Sequence, residues 1–452
     1  MSMFLLAAVA LAAPTLTLHV DATPQRTSSS GCIFVIRNAI VGGGRQTTCL
    51  TSIDGVPAAG AVIRSRGTTA FALARGTLRA RIATSMRFGA DAVHATQTAT
   101  GTIVGGTRAY AGARGSLTGG GTVIDRRSGL GRVRLVYRVM LSRVIPLDEI
   151  ERARDTIAGR ALRTPLSRVE TDDRDIELYA KLECLQPIGA FKLRGALNAM
   201  AHADISGGVV TASAGNMAQG VAWAAREAGV PCTVVVPDTA PQTKLDAIAR
   251  LGARTIAVPF ERWWQAMDDH AFAGVDGLFV HPFEDDDVMA GNGTIGLEVL
   301  DDLPDPDAVL LPFGGGGLAA GVASAFRQLR PETKLYAAEV DTGAPLAASL
   351  AAGRPTPVEY TPSFVDGITG PSVGERMFEL ARELLDGARV VTLAETAEAI
   401  RLLATRARVV AEGAGAAPVA AARGLSGKVV AVVSGGNIDP LKLAKILQGE
   451  TP

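Results

Sequence analysis

PIGAFKLRGA, residues 187–196, places one lysine, Lys192, behind a proline, a glycine and an aromatic, at the start of a run with helical spacing. Such a lysine either opens an amphipathic helix or, when burial suppresses its charge, forms a Schiff base. The stretch alone accommodates both readings, so its surroundings decide. Downstream, helical stretches such as MAQGVAWAAREAG (217–229) and APQTKLDAIARLG (240–252) alternate with short apolar runs. Those runs are GGVVTAS (207–213), PCTVVVP (231–237), AVLLPFGGGG (308–317), KLYAAEV (334–340) and KVVAVVSGG (428–436). Strand–helix alternation of this kind implies an α/β fold with mostly parallel sheets covered on both faces. Upstream, LDEIERARDTIA (147–158) has helical spacing and Gly159 to stop it.

The texture changes near Ser142. Residues 30–141 are alternating runs of Gly, Thr, Ala, Val and Arg, such as CIFVIRNAIV (32–41), TTAFALARGTLRARIAT (68–84) and GRVRLVYRVML (131–141). Alternation bounded by glycine clusters predicts antiparallel strands in a barrel or sandwich. His94 has no catalytic partner in this stretch and reads as structural. Residues 1–142 hold sixteen arginines, no lysine and four acids; the chain as a whole is formally neutral, so residues 143–452 carry the balancing negative excess. The arginines are dispersed among Gly and Thr, which predicts a solvated face and no nucleic-acid partner. MSMFLLAAVALAAPT (1–15) has an apolar run and an Ala10-Leu11-Ala12 site, like a signal segment, but no basic start and too few residues for a membrane span. Cys32 and Cys49 could pair if this part is exported, whereas Cys184 and Cys232 sit in apolar contexts and read as buried thiols.

Three loops follow predicted strands. TASAGNMAQG (211–220) leads into a helix, so its Ser-Ala-Gly-Asn turn offers backbone N–H groups to an anion. PFGGGGLAAG (312–321) removes four successive side chains, which lets consecutive amides and a helix dipole wrap a phosphate. VVSGGNID (432–439) ends a strand with one hydroxyl, Ser434, beside two glycines. Each has an ordinary turn as its alternative reading.

A lysine, an Asn loop, a tetraglycine loop and a Ser-Gly-Gly-Asn turn, in that order, resemble the fold-type II pyridoxal-phosphate enzymes of the threonine/serine dehydratase and serine racemase branch. The resemblance runs over about residues 145–449. It includes RTPL (163–166), LECLQPIGAFKLRGA (182–196), HPFEDDDVMAGNGTIGLEVL (281–300), VDGI (365–368) and AEGAGAA (411–417). It implies a tryptophan synthase β-like fold of two open parallel-sheet subdomains in residues 143–452. The small one, about 205–289, would be inserted in the large one, 143–204 and 290–452. The preceding residues 21–142, through GGTRAYAGARGSLTGGG (105–121), resemble the allene oxide cyclase-like or dirigent-like β-barrels, with 1–20 as the signal-like segment.

The resemblance also implies roles. Lys192 would hold pyridoxal 5'-phosphate covalently and act as the base at the substrate Cα. Phe191 would pack by the cofactor ring, and Asn216 would hydrogen-bond its hydroxyl. Gly314, Gly315, Gly316 and Gly317, with the Leu318 amide, would hold the phosphate. Ser213, Ala214, Gly215 and Asn216 would hold the substrate carboxylate. Ser434 would face the pyridine nitrogen, leave it largely neutral, and so favour loss of a β-leaving group over transamination. The implied reaction is β-elimination from L-threonine or L-serine, giving 2-oxobutanoate or pyruvate plus ammonia. Dehydration of another β-hydroxy amino acid such as 3-hydroxyaspartate, racemisation, and an exported ligand-binding barrel are the alternatives. A homo-oligomer and a cytoplasmic location follow from the resemblance, the latter against the signal-like start.

Four departures bear on these roles. Racemases of the branch carry a serine base where Ala214 stands. Met217 replaces a common His, and Asn292 a common Gln. Glu339 fits the first position of a cation site, but the sixth residue after it is Pro345 rather than an acid, so no metal is expected. No regulatory domain follows the SGGN turn, so feedback control through one is not expected.

Overall fold

The computed structural model describes the strands within residues 15–142, and residues 144–452 apart from 369. The chain divides into two compact units, Met1–Val144 and Ile145–Pro452. Residues 1–14, most of the signal-like segment, lie outside the described residues, and residues 15–20 belong to the first strand.

The first unit is an antiparallel sheet of nine strands: β1 (Thr15–Ala22), β2 (Gln25–Ser29), β3 (Cys32–Ala39), β4 (Arg45–Asp54), β5 (Val62–Leu73), β6 (Gly76–Phe88), β7 (His94–Arg108), β8 (Arg114–Ile124) and β9 (Val133–Ser142). Strands β2 to β9 pair in sequence order and β1 returns to pair with β9. The alternation works as a two-sided pattern. Phe71, Ala80 and Ile82 are buried, and their neighbours Ala72, Arg79, Arg81 and Ala83 face solvent. The buried face also holds Thr48 and Thr69, whose hydroxyls meet at 2.9 Å, with the Gln46 amide donating to both at 3.3 Å. Cys49 on β4 is disulfide-bonded, whereas Cys184 and Cys232 carry free thiols.

The second unit opens with α1 (Leu147–Ile157), β10 (Leu166–Val169), β11 (Ile176–Leu182) and α2 (Lys192–Ala201). A smaller set follows: β12 (Val209–Ala212), α3 (Asn216–Ala228), β13 (Cys232–Pro237), α4 (Gln242–Arg250), β14 (Arg254–Val258), α5 (Phe260–Asp268) and β15 (Leu278–Phe279). The chain then runs through α6 (Asp286–Asp302), β16 (Ala308–Pro312), α7 (Gly317–Leu329), β17 (Lys334–Val340), α8 (Pro345–Ala352), α9 (Glu375–Leu384) and β18 (Gly387–Val391). It ends with α10 (Leu393–Leu402), α11 (Gly413–Ala421), β19 (Gly427–Val433) and α12 (Pro440–Leu447). Among the described residues no helix is long and apolar enough to cross a membrane.

Two sheets result. The larger has the order β10-β11-β19-β16-β17-β18, parallel except for β10, and the smaller is the all-parallel β14-β13-β12-β15. Central strands are apolar on both faces, as burial from both sides requires: β16 and the last five residues of β19 are fully in the core. Helices α2, α6 and α7 approach closely because glycines line their contacts. A Cβ on Gly291 would lie 2.5 Å from the Arg194 carbonyl oxygen, and one on Gly321 would lie 2.1 Å from that of Met289. Strands β11, β12, β16 and β19 all deliver their chains to the carboxyl edges of their sheets. In open parallel sheets that edge is where ligands bind.

Candidate active site

Lys192 is the first residue of α2, and its N-terminal approach is fixed by backbone bonds to the Ser434 turn. The Phe191 N–H donates to the Ser434 carbonyl at 2.9 Å, and the Gly436 N–H to the Gly189 carbonyl at 2.9 Å. Gly189 takes φ +70° at that crossing, and a Cβ there would collide with Asn437 Oδ1 at 2.7 Å. The residues on either side of β19's end and of the lysine are therefore one construction. Lys192 Nζ lies 5.1 Å from the Phe191 ring centroid and donates to the Pro282 carbonyl at 2.5 Å. Burial alone, with no charged partner contributing, lowers its pKa from 10.5 to about 8.

The Asn loop sits at the end of β12. Ser213 Oγ accepts from the Gly215 N–H at 3.1 Å, and the Ser213 N–H is taken by the Val235 carbonyl. Asn216 opens α3. Its amide nitrogen donates to Glu412 Oε1 at 2.8 Å, and its oxygen accepts from Asn437 Nδ2 at 2.8 Å. Asn437 spends its other N–H on the Ile188 carbonyl, so both its donors are used and one Asn216 N–H remains. Glu412 is buried, and desolvation, with Asp366 nearby, raises its carboxyl to about 7.

The tetraglycine loop runs from the end of β16 into α7. Gly316 takes φ +86°, and the first helical bond of α7 is Ala320 N–H to the Gly316 carbonyl. The preceding amides, including that of Leu318, have no partner within the helix. No side chain fits in this loop. A Cβ would lie 3.0 Å from Ile368 Cα at Gly314, 2.2 Å from Phe283 Cγ at Gly315, 2.9 Å from Phe313 Cζ at Gly316, and 2.5 Å from the Phe283 carbonyl at Gly317. Bare amides at a helix N-terminus, a neutralisable lysine and an Asn amide are the donor set a phosphorylated aldehyde cofactor needs. The residues therefore fit pyridoxal phosphate.

Sequence reasoning gave no role to His281, Pro282, Glu412 or Asn437, although all four stand inside motifs that it singled out. His281 is buried and its Nδ1 accepts the Glu284 N–H at 2.7 Å and the Phe283 N–H at 3.3 Å. The acceptor nitrogen must be unprotonated, and desolvation, with His270, Lys192 and Arg376 adding positive charge, holds the ring well below its ordinary pKa. His270, at φ +50°, stacks on it at 4.6 Å, and Phe283 meets it edge-on at 4.6 Å. The closed 281–284 turn thereby aims the Pro282 carbonyl at Lys192 and Phe283 at Gly315. Glu339 is remote from such use: its two oxygens accept from the Leu346 and Ala347 amides at 2.9 and 2.7 Å, capping α8, and desolvation raises its carboxyl to about 7. Asn292, one methylene shorter than a glutamine, is buried with no partner for either amide atom.

Behind the lysine lies a fully buried ion network. Arg194 joins Glu183 through Nε and Nη2 at 2.8 Å each, and Glu298 through Nη1 at 2.7 Å and Nη2 at 2.9 Å. Lys181 adds 2.5 Å to Glu298. The network pins the first turn of α2 to β11 and α6.

Comparison with known proteins agrees with this construction. Residues 157–435 match the family model described as pyridoxal-phosphate dependent enzyme. The chain is 42% identical over 316 residues to an L-threonine ammonia-lyase of Thermotoga maritima, covering 67% of this chain and 78% of that one. Among solved structures it is similar to the processed form of tomato (Solanum lycopersicum) threonine deaminase isoform 2, at 33% identity and a TM-score of 0.60 over 67% of this chain and 88% of that one. It is also similar to maize serine racemase, at 31% identity and a TM-score of 0.60 over 68% and 98%.

Proposed function

This chain belongs to the pyridoxal-phosphate dependent enzymes, and on that premise we propose that residues 145–452 are an L-threonine ammonia-lyase that also accepts L-serine. The observation that carries the reading is Lys192 donating to the Pro282 carbonyl, its pKa lowered by burial to about 8, next to Phe283, which closes on Gly315 and Gly317 of the tetraglycine loop. The cofactor, when bound, supplies the electron sink that makes the substrate Cα–H acidic.

The chain's own residues do the rest. Lys192 would bind the cofactor covalently and, once displaced by the substrate amine, take the Cα proton onto Nζ. The Pro282 carbonyl orients that nitrogen. Gly314 to Gly317 and the Leu318 amide would hold the phosphate, Phe191 would pack by the ring, and the remaining Asn216 N–H would meet the ring hydroxyl. The 213–216 turn would hold the substrate carboxylate; because the Gly215 amide is already bonded to Ser213 Oγ, the Ser213 hydroxyl proton and the Ala214 and Asn216 amides are the donors left for it. Ser434 would stand at the pyridine nitrogen. Loss of the Cα proton and of the β-hydroxyl as water, followed by hydrolysis, yields 2-oxobutanoate and ammonia from L-threonine. Ala214 offers no hydroxyl to serve as a second base, which supports elimination over racemisation. We further infer a homo-oligomer working in the cytoplasm, with residues 21–142, extended to Thr15 by the first strand, as a separate barrel-like domain.

The test is the visible absorbance of the purified chain before and after L-threonine and L-serine, coupled to 2-oxo acid detection. The expected result is a cofactor band that changes with substrate and oxo acid that disappears in Lys192→Ala. D-amino acid without oxo acid, or no band after adding pyridoxal phosphate, would overturn the reading.

A further inference from the structure

The arginines of the first unit are dispersed in sequence, yet strand pairing aligns five of them. On β5 and β6, one face pairs Val62 with Arg87, Arg64 with Ser85, Arg66 with Ala83, Thr68 with Arg81, and Ala70 with Arg79. These are five successive rungs of the same face, and each carries one arginine. All five arginines are exposed, whereas Ser65, Phe71, Ala80 and Ile82 of the opposite face are buried. Same-face rungs repeat every two residues, about 6.8 Å, so the guanidinium row is about 27 Å long.

The neighbouring strands supply hydroxyls. Thr96, Thr98 and Thr100 of β7 are exposed and pair with Arg87, Ser85 and Ala83. On the other side β4 sets Ser52 against Arg66 and Asp54 against Arg64. Asp54 is the one acid on this face among the described residues of β4 to β7, and no described aromatic side chain stands on it.

We propose that this row is a docking surface for a linear acidic polysaccharide. The guanidinium fork matches a carboxylate in a bidentate way, and arginine is its preferred partner. A single small anion needs donors that converge, and here they are spread at a regular period along a line. That geometry suits a polymer whose charges also recur. Threonine hydroxyls beside the row both donate and accept, as sugar hydroxyls require. Single-stranded nucleic acids are held by basic grooves that also stack bases on aromatic rings, and none stands among the described residues of this face. Each exposed arginine contributes little alone, so affinity must come from engaging several rungs together.

The full chain is titrated calorimetrically with polygalacturonate fragments of graded length at low salt. Affinity should rise with fragment length until it spans about 27 Å, then level off, and should fall as salt increases. Arg66→Gln with Arg81→Gln should weaken binding by about tenfold and flatten the salt dependence, as loss of two charge contacts does. Arg66→Lys with Arg81→Lys should keep the salt dependence but bind more weakly than wild type and more tightly than the glutamine pair, and Arg152→Gln, on the other unit, should change nothing. An unchanged melting temperature in each variant excludes misfolding as the cause. Absence of saturable binding, no dependence on fragment length, or undiminished binding by the glutamine pair would overturn the proposal. Tighter binding of a single-stranded oligothymidylate of equal length would overturn it in favour of nucleic acid.

Discussion

Arg194→Met should be among the most destabilising single changes in the second unit. Arg194 is 1% exposed and its guanidinium donates to both oxygens of Glu183 and both of Glu298, and also to Thr294 Oγ1 at 3.0 Å and the Leu162 carbonyl at 2.9 Å. Burial pulls its pKa down, but Glu183 and Glu298 outweigh that and leave it raised, so it is charged at any working pH. The network holds two cations, Lys181 and Arg194, against two carboxylates. Removing one cation leaves Glu183, wholly buried, with only the Thr164 hydroxyl at 2.5 Å and the Gln186 amide at 3.1 Å. An uncompensated buried charge of this kind costs about 3–5 kcal/mol, a large part of the roughly 5–15 kcal/mol that holds a domain together. Arg194→Lys keeps the charge but cannot span both carboxylates, and should cost about 2 kcal/mol.

The assay is urea unfolding of wild type and variants at neutral pH and again near pH 5. Glu183 has its pKa lowered in the folded chain: burial would raise it, but Arg194 and Lys181 prevail. Its contribution is therefore present above the unfolded carboxylate pKa of 4.5 and is lost as pH falls through the folded value. In Arg194→Met the same carboxyl escapes its penalty by taking up a proton. The gap between wild type and variant should thus be wide at pH 7 and narrower near pH 5. A loss under about 1 kcal/mol at pH 7 would refute the reasoning, as would a gap that widens on acidification.

Three further outcomes concern the site itself. With a pKa of about 8, Lys192 in the cofactor-free chain should react with pyridoxal phosphate at a rate rising through pH 8; at pH 7 about 10% is neutral, against about 0.03% for an ordinary lysine. Stopped-flow absorbance gives the midpoint, and a value above 10 would contradict the burial argument. The folded chain should also gain stability relative to the unfolded one as pH rises from about 8 toward 10.5, because the unfolded lysine holds its proton longer. Gly315→Ala would set a methyl 2.2 Å from Phe283 Cγ, so pyridoxal phosphate should bind on the order of tenfold to a hundredfold more weakly. Phe283→Ala in the same chain should recover part of the affinity in equilibrium dialysis, and no recovery would show that the ring is not the obstacle.

What could be read from the sequence was local. Lys192, the 213–216 turn, the tetraglycine loop and Ser434 announce themselves because strand–turn–helix chemistry needs glycine, small hydroxyls and asparagine within a few residues. What orients them could not be read in the same way. Asn216 is held by Glu412 and Asn437, 196 and 221 residues away. Lys192 is held by a proline carbonyl, a backbone group with no residue signature, 90 residues away. The arginine row failed in the opposite sense. Spacing along the chain disperses Arg64, Arg66, Arg79, Arg81 and Arg87, and only the antiparallel register of β5 and β6 brings them into line.

The second unit buries acids and bases in two arrangements with opposite effects. In the network of Arg194, Lys181, Glu183 and Glu298 each cation touches a carboxylate, so Glu183 is driven lower and Arg194 higher than in water. Burial by itself would have done the reverse for those two, so pairing decides there, whereas Lys181, although bonded to Glu298, is still lowered by its burial. Along the catalytic edge the pairing is withheld. Lys192 has only a carbonyl oxygen, and Glu412 only an amide with the positive charge of Lys244 in reach; both drift toward neutrality, to about 8 and about 7. His281 follows the same rule, as a neutral acceptor kept from protonation by desolvation and by the cations around it. Lys192 and Glu412 are thus held by neutral partners, and the ion pairs begin two residues on at Arg194, where they fix α2. Placing a carboxylate within reach of Lys192 would stabilise the ammonium and deplete the neutral amine, even though it would add an ion pair to the fold.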